Sequence, residues 1–195
     1  MADVVLVRHA PTAWSGHRYC GRSDPPLDRL GRAAAVRVAS ELRTKLEPGI
    51  RIVSSPRRRA IQTATEIASI IGSGSVDIDD RWAETDFGIG EGLTFDDLAL
   101  VAPEIVARLL SGDIEIDWPG GEAAVTLVAR VEAAWRDAVS HLAGSLVVTH
   151  GGPIRVAIAH ATGRRVNDVP IPGPADAVQL SRDDLGTGWV VREYP

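Results

Sequence analysis

Hydrophobic positions follow two patterns along this chain: short unbroken apolar runs, and longer stretches with an apolar residue every three or four positions. The runs VVLV (4–7), IRIV (50–53) and LVVT (146–149) lack strict alternation, as strands buried on both faces do. A short strand is predicted over 76–78. Two more, over 176–181 and 188–193, are joined by a turn through Gly186 and Gly188. Helical spacing links Ala35, Ala39, Leu42 and Leu46 within 31–47, and Ala60, Ala64, Ile67 and Ile71 in the next segment. It recurs over 122–142 with Val125, Val128, Val131, Trp135, Val139 and Leu142 on one side. Ser55 suits the N-cap of the second helix, Pro56 its first position and Gly72 its end. Pro153 suits the first turn of a last helix.

Strands alternating with helices predict an α/β fold, a three-layer α/β/α sandwich with a mostly parallel central sheet. The stretch from Phe95 to Glu122 is less regular, with Pro103, Gly112, Pro119 and Gly120–Gly121 as punctuation. Residues 95–121 are read as a small inserted cap. With no repeat, linker or low-complexity segment in view, 1–195 is expected to form a single domain.

Composition narrows the function classes. Hydrophobic residues make up 45% of the 195 and charged residues 24%, ordinary globular usage. A net charge of −5 argues against nucleic acid as a partner, because phosphate backbones favour a basic footprint. No run reaches the roughly 18 apolar residues of a membrane span, and MADVVLV lacks the features of a signal peptide. A single cysteine, Cys20, allows no internal disulfide. A cytoplasmic protein with no membrane partner is the expectation.

The chemistry gathers at strand ends. In open α/β sheets ligands bind beyond the carboxyl ends of the strands. The first strand ends in Arg8–His9. A late one ends in Thr149–His150, followed by Gly151–Gly152 and a helix. The second ends in Ser54–Ser55, just before Arg57, Arg58 and Arg59. If these strands are neighbours, two imidazoles and two or more guanidiniums share a crevice. Arginine forks match phosphate oxygens, and a neutral imidazole nitrogen can attack phosphorus. A leaving alkoxide also needs a proton, and Glu84 and Asp86 in RWAETDFG are the acids on offer. Burial would raise such a carboxyl and nearby arginines would lower it, so a competent acid is expected mainly with a phosphate dianion bound. His141 and His160 read as surface or packing residues. No histidine and carboxylate spacing suits a metal, and no cofactor is expected.

LVRHAPTAW, GRSDPPLDRLGRAAA, SSPRRRAIQTA, AETDFGIGEG and VVTHGGPIR, in this order from residue 4 to residue 155, together resemble the histidine phosphatase superfamily, the phosphoglycerate mutase-like proteins. The resemblance implies catalysis through a phosphohistidine without metal. It makes His9 the nucleophile, and Arg8, Arg59 and His150 the phosphate pocket. Arg59 is selected over Arg57 and Arg58 because the family's arginine immediately precedes the alanine. Glu84 aligns with the proton donor, and the Gly151 or Gly152 N–H is placed to reach a phosphate oxygen. The loop after the first strand offers Thr12, Ser15, His17, Tyr19, Cys20 and Gly21 as candidates for substrate contact. Departures fall at Ala10, where the family has glycine, at Pro11 and Ser15, where glutamate and asparagine are common, and at Gly90, where an aromatic is common.

The expected activity is hydrolysis of a small phosphorylated metabolite. The predicted cap carries Glu104, Asp113, Glu115 and Asp117 against Arg108, which suits a singly phosphorylated substrate better than a mutase's doubly charged intermediate. A mutase-type phosphotransferase and a non-catalytic binding module are the alternatives. YCGRSDPPL resembles the segment of family members acting on α-ribazole phosphate; sugar phosphates and phosphoglycerate derivatives stay equally open. The C-terminal edge strand is open to pairing in a homodimer.

Overall fold

The structure is a computed structural model and describes residues 3–193. Six strands form one sheet: β1 (Val4–Arg8), β2 (Arg51–Ser54), β3 (Asp77–Ile78), β4 (Ser145–Thr149), β5 (Ala177–Arg182) and β6 (Trp189–Glu193). Their order is β3-β2-β4-β1-β5-β6. The first four are parallel, β5 runs antiparallel to β1, and β6 forms one edge antiparallel to β5. Around the sheet lie α1 (Arg29–Arg43), α2 (Arg58–Ile71), α5 (Ala124–Ser140) and α6 (Gly151–Thr162); α3 (Phe95–Val101) and α4 (Pro103–Leu110) lie further along the chain.

The unbroken apolar runs are explained by the two faces of the sheet. Val4 and Leu6 of β1 pack with Val147, Trp135 and Ile154 on the α5/α6 side. Val5 and Val7 pack with Ile52, Leu146, Ala35 and Ala64 on the α1/α2 side. Period-2 side chains feed both cores, so every position of β1 from Val4 to Val7 must be apolar.

Several boundaries shift from expectation. The first helix spans 29–43 rather than 31–47, because Asp28 caps it by accepting from the Gly31 N–H at 2.7 Å. The second starts at Arg58, with Arg57 rather than Ser55 at the N-cap position. The Ser55 hydroxyl is engaged with His150 and the Arg57 N–H, and Asp24 from the loop between β1 and α1 accepts from the Arg58 N–H. Along α5 the buried face is Val131, Ala134, Trp135 and Ala138; Val125 and Leu142, at and beyond the helix ends, are exposed. The stretch read as irregular holds α3 and α4. Thr94 and Asp97 form a reciprocal capping box, and Pro103 occupies the first turn of α4. These helices bury Leu98, Ala102, Ile105 and Val106 with Ile116 and Trp118 in a third cluster.

Adjacent strands β1 and β4 send their helices to opposite faces, α1 to one and α6 to the other. Such a divergence opens a crevice at the carboxyl ends of the strands. In register, Arg8 faces Thr149, and Ser54 faces Val148. The next residue of each strand, His9, His150 and Ser55, is therefore delivered to the same crevice.

Candidate active site

His9 and His150 stand side by side with ring centroids 5.0 Å apart. The chain just beyond the strands continues their pairing: the His9 N–H donates to the Thr149 carbonyl at 2.9 Å and the Ser55 N–H to the Val148 carbonyl at 2.9 Å. His9 Nδ1 lies 2.8 Å from the Ala10 carbonyl, which can only accept, so the proton sits on Nδ1 and Nε2 is left unprotonated. Burial, with Arg59 and Arg8 nearby, pushes the His9 pKa down to about 3, so the ring is neutral at physiological pH.

Arg59 is the hub, 1% exposed. Its Nε donates to His9 Nε2 at 3.2 Å, and its two terminal nitrogens donate to the Ser23 and Cys20 carbonyls at 2.9 and 2.8 Å. One of them also lies 3.3 Å from His150 Nδ1. Guanidinium only donates, so His150 Nδ1 is unprotonated there and Nε2–H donates to Ser55 Oγ at 2.7 Å. Burial and Arg59 hold the His150 pKa well below the ordinary imidazole range.

Arg8 reaches the crevice from the other side. It donates to the Pro172 carbonyl at 2.8 Å, while its Nε is shut from solvent without a partner. The 172–176 turn is fastened to the same strand end: the Arg8 N–H donates to the Asp176 carbonyl at 3.0 Å, and Ala175, in the left-handed region at φ 66°, donates back to the Arg8 carbonyl at 3.1 Å.

Glu84 closes the crevice over the start of α6. Its carboxylate accepts from the Thr85 N–H at 3.0 Å, and burial raises its pKa against the pull of Arg59, Arg8 and Arg130. Its backbone is held by Arg130, which donates to the carbonyls of Arg81 and Ala83 at 2.7 and 2.6 Å and pairs with both oxygens of Glu122 at 2.7 and 2.8 Å. A Cβ on Gly152 would lie 2.6 Å from Glu84 Oε1. Gly152→Ala is therefore expected to displace that carboxyl, lowering kcat by about 10–100-fold. Thermal stability should be kept or slightly raised, since alanine is the better helix former. An unchanged kcat by steady-state kinetics would contradict this placement of Glu84.

The remaining candidates sort by position. Gly151 opens α6 with Ile171 packed against it. Thr12 and Ser15 are occupied with each other: the Thr12 N–H donates to Ser15 Oγ at 2.9 Å. His17 is exposed and lines a separate groove with Arg18 and Phe95. Tyr19 packs edge-on to Phe87 and close to Trp118 in the third cluster. Cys20 contributes its carbonyl to Arg59, and burial pushes its thiol pKa up. Gly21 is buried, and a Cβ there would lie 1.9 Å from the Thr85 carbonyl oxygen. Three contributors escape sequence reasoning. Ser55 looks like a helix cap. Arg130 looks like a surface residue of α5. Glu91 accepts from the Gly21 and Ser23 N–H groups at 3.0 and 2.7 Å and so shapes the loop that holds Arg59. Its only signal is membership of FGIGEG.

An α/β/α sheet presenting paired neutral imidazoles among buried guanidiniums defines a phosphoryl-handling protein of the phosphatase and mutase class. The chain belongs to the histidine phosphatase superfamily, branch 1, whose sequence pattern matches residues 4–188. It is 35% identical over 193 residues to a glucosyl-3-phosphoglycerate phosphatase of Mycolicibacterium vanbaalenii, covering 91% of this chain and 83% of that one. A bifunctional protein of Mycobacterium tuberculosis is 37% identical over 157 residues, which are 78% of this chain but 42% of that protein. The solved structure of a mycobacterial glucosyl-3-phosphoglycerate phosphatase complexed with VO3 superposes with a TM-score of 0.84 at 29% identity, covering 99% of this chain and 97% of that one. Among the described residues no helix is long and apolar enough to cross a membrane.

Proposed function

We propose that this chain is a metal-independent phosphomonoesterase acting through a phosphohistidine on a small phosphorylated metabolite. The observation that carries the reading is the His9 ring: Nδ1–H is fixed on the Ala10 carbonyl, and Nε2 is bare of a proton and faces Arg59 and His150. When phosphate enters, Arg59 turns its donors from Nε2 to the phosphoryl oxygens. The Nε2 lone pair then forms the N–P bond as the ester P–O bond breaks, and the leaving oxygen takes the Glu84 proton. Arg8, Arg59, His150 and the Gly151 N–H hold the equatorial oxygens, where charge sits in the transition state. Ser55 Oγ serves either tautomer of His150, accepting from Nε2–H in the free protein and donating to Nε2 when Nδ1–H faces an oxygen. In the second half, water attacks phosphorus, Glu84 takes its proton, and the N–P bond breaks.

Hydrolysis rather than mutase transfer is favoured by the 95–121 segment. Arg108 is bound to Asp113 and to the Glu115 carbonyl, and Asp117 caps α5 through the Ala124 N–H. That segment therefore brings no spare cation for a doubly phosphorylated intermediate. The test is p-nitrophenyl phosphate in EDTA, with an alkaline quench during turnover. Hydrolysis should survive chelation, and an acid-labile, alkali-stable phosphoenzyme should be trapped. Loss of activity on chelation, restored by a divalent ion, would refute the metal-free reading. Phosphoryl exchange between hydroxyls of phosphoglycerate without phosphate release would favour the mutase.

A further inference from the structure

Beside the crevice lies an open groove of about 590 Å³ that shares Glu84 with it. Most of its charges are already matched. Arg130 pairs with Glu122, and Asp86 accepts from the Gly88 N–H and meets Arg22 at 3.4 Å. Arg57 is different. It is half-buried on the groove wall, its Nε is shut from solvent, and that Nε has no hydrogen-bond partner. No ion pair is made by its guanidinium among the described residues. It also stands close enough to Arg59 and His150 to act on both electrostatically.

An N–H donor shut from water without an acceptor costs free energy unless a ligand completes it. Arg8 Nε is in the same state on the phosphate side of the crevice. Neighbouring carboxylates separate the two. Arg8 and Arg59 face the phosphate position and also feel Asp176 and Asp24, whereas Arg57 is paired with no carboxylate among the described residues. It lies on the Glu84 side, where the leaving oxygen departs. We infer that Arg57 forms a second anion subsite on the groove wall, and that the substrate's alcohol portion carries a carboxylate or a second phosphate.

This rests on the phosphatase reading above, and the experiment separates the two. kcat/KM is measured for 3-phosphoglycerate against glycerol 3-phosphate, which has a hydroxymethyl group in place of the carboxylate. Fructose 1,6-bisphosphate against fructose 6-phosphate does the same for a second phosphate. The wild type should favour the doubly anionic member of at least one pair, and which pair names the anion. Arg57→Leu should shrink that preference by about 10–100-fold, the worth of a charged hydrogen bond. Arg57→Glu should abolish or reverse it, and it keeps the test open if the leucine variant misfolds. Equal rates within both pairs, or a preference untouched by both variants, would overturn the subsite while leaving the phosphatase standing. Absence of phosphate release from all four compounds and from p-nitrophenyl phosphate would instead remove the reading beneath it.

Discussion

Replacing His9 with alanine is expected to cut phosphate release by roughly 10⁴–10⁶-fold, the scale on which enzymes lose turnover when a covalent nucleophile is removed. The phosphoenzyme should vanish with it. The reason lies in the division of labour within the crevice. Arg8, Arg59 and His150 remain to gather the dianion, but no lone pair faces phosphorus, and direct attack by water must do in one step what the imidazole splits into two. Binding should persist. Orthovanadate or inorganic phosphate should still raise the thermal midpoint of the variant, because ligand-linked stabilisation follows affinity and not turnover. His9 is 8% exposed and makes one strong side-chain bond, to a backbone carbonyl, so the fold should survive its loss. A variant that folds, binds phosphate and still turns over at near the normal rate would show that another group attacks phosphorus.

The strands that carry this chemistry were legible because each is short, apolar and ends in its own functional residue. Pairing between β1 and β4 was not legible, since register is decided by long-range contacts; yet that pairing brings His9 and His150 together. Arg59 could have been chosen on phase alone. It falls on the buried stripe with Ala60, Thr63 and Ile67, whereas Arg58 points outward. Thr94 and Asp97 in TFDD were a readable signal for α3, masked by the glycines and prolines that follow. The exposed ends of the α5 stripe show the limit of periodicity: it gives the face of a helix and not how far the core extends along it. Gly90 has a reason visible only in three dimensions. A Cβ there would lie 2.8 Å from the Trp118 ring, so Trp118 leaves no room for the aromatic common at this place in the family. Ser55, Glu91 and Arg130 act through partners 95, 70 and 46–49 residues away, beyond the reach of local pattern.

Arg59→Met should be the next most damaging change for activity, and its effects on function and stability should diverge. Methionine fills similar volume, but it cannot donate. A guanidinium that meets developing phosphoryl charge contributes on the order of 10³–10⁵ in rate, so kcat/KM should fall by at least about 10³-fold. Lysine should restore little of it, because a point charge cannot span His9, His150 and two carbonyls at once. Stability responds to opposing influences. The Cys20 and Ser23 carbonyls lose their donor, a cost of about 1–3 kcal/mol if they stay dry. Removing a positive charge that lies near Arg8 and Arg57 relieves repulsion. The 20–23 loop is still gripped by Glu91 through the Gly21 and Ser23 N–H groups and is half-open to solvent, so water can reach the orphaned carbonyls. The net loss should therefore be small, about 1–2 kcal/mol by denaturant titration, against a far larger loss of activity. The stabilisation conferred by added phosphate should be nearly absent. If phosphate still shifts the midpoint as it does in the wild type, Arg59 is a structural clamp on the loop rather than the residue that receives the dianion.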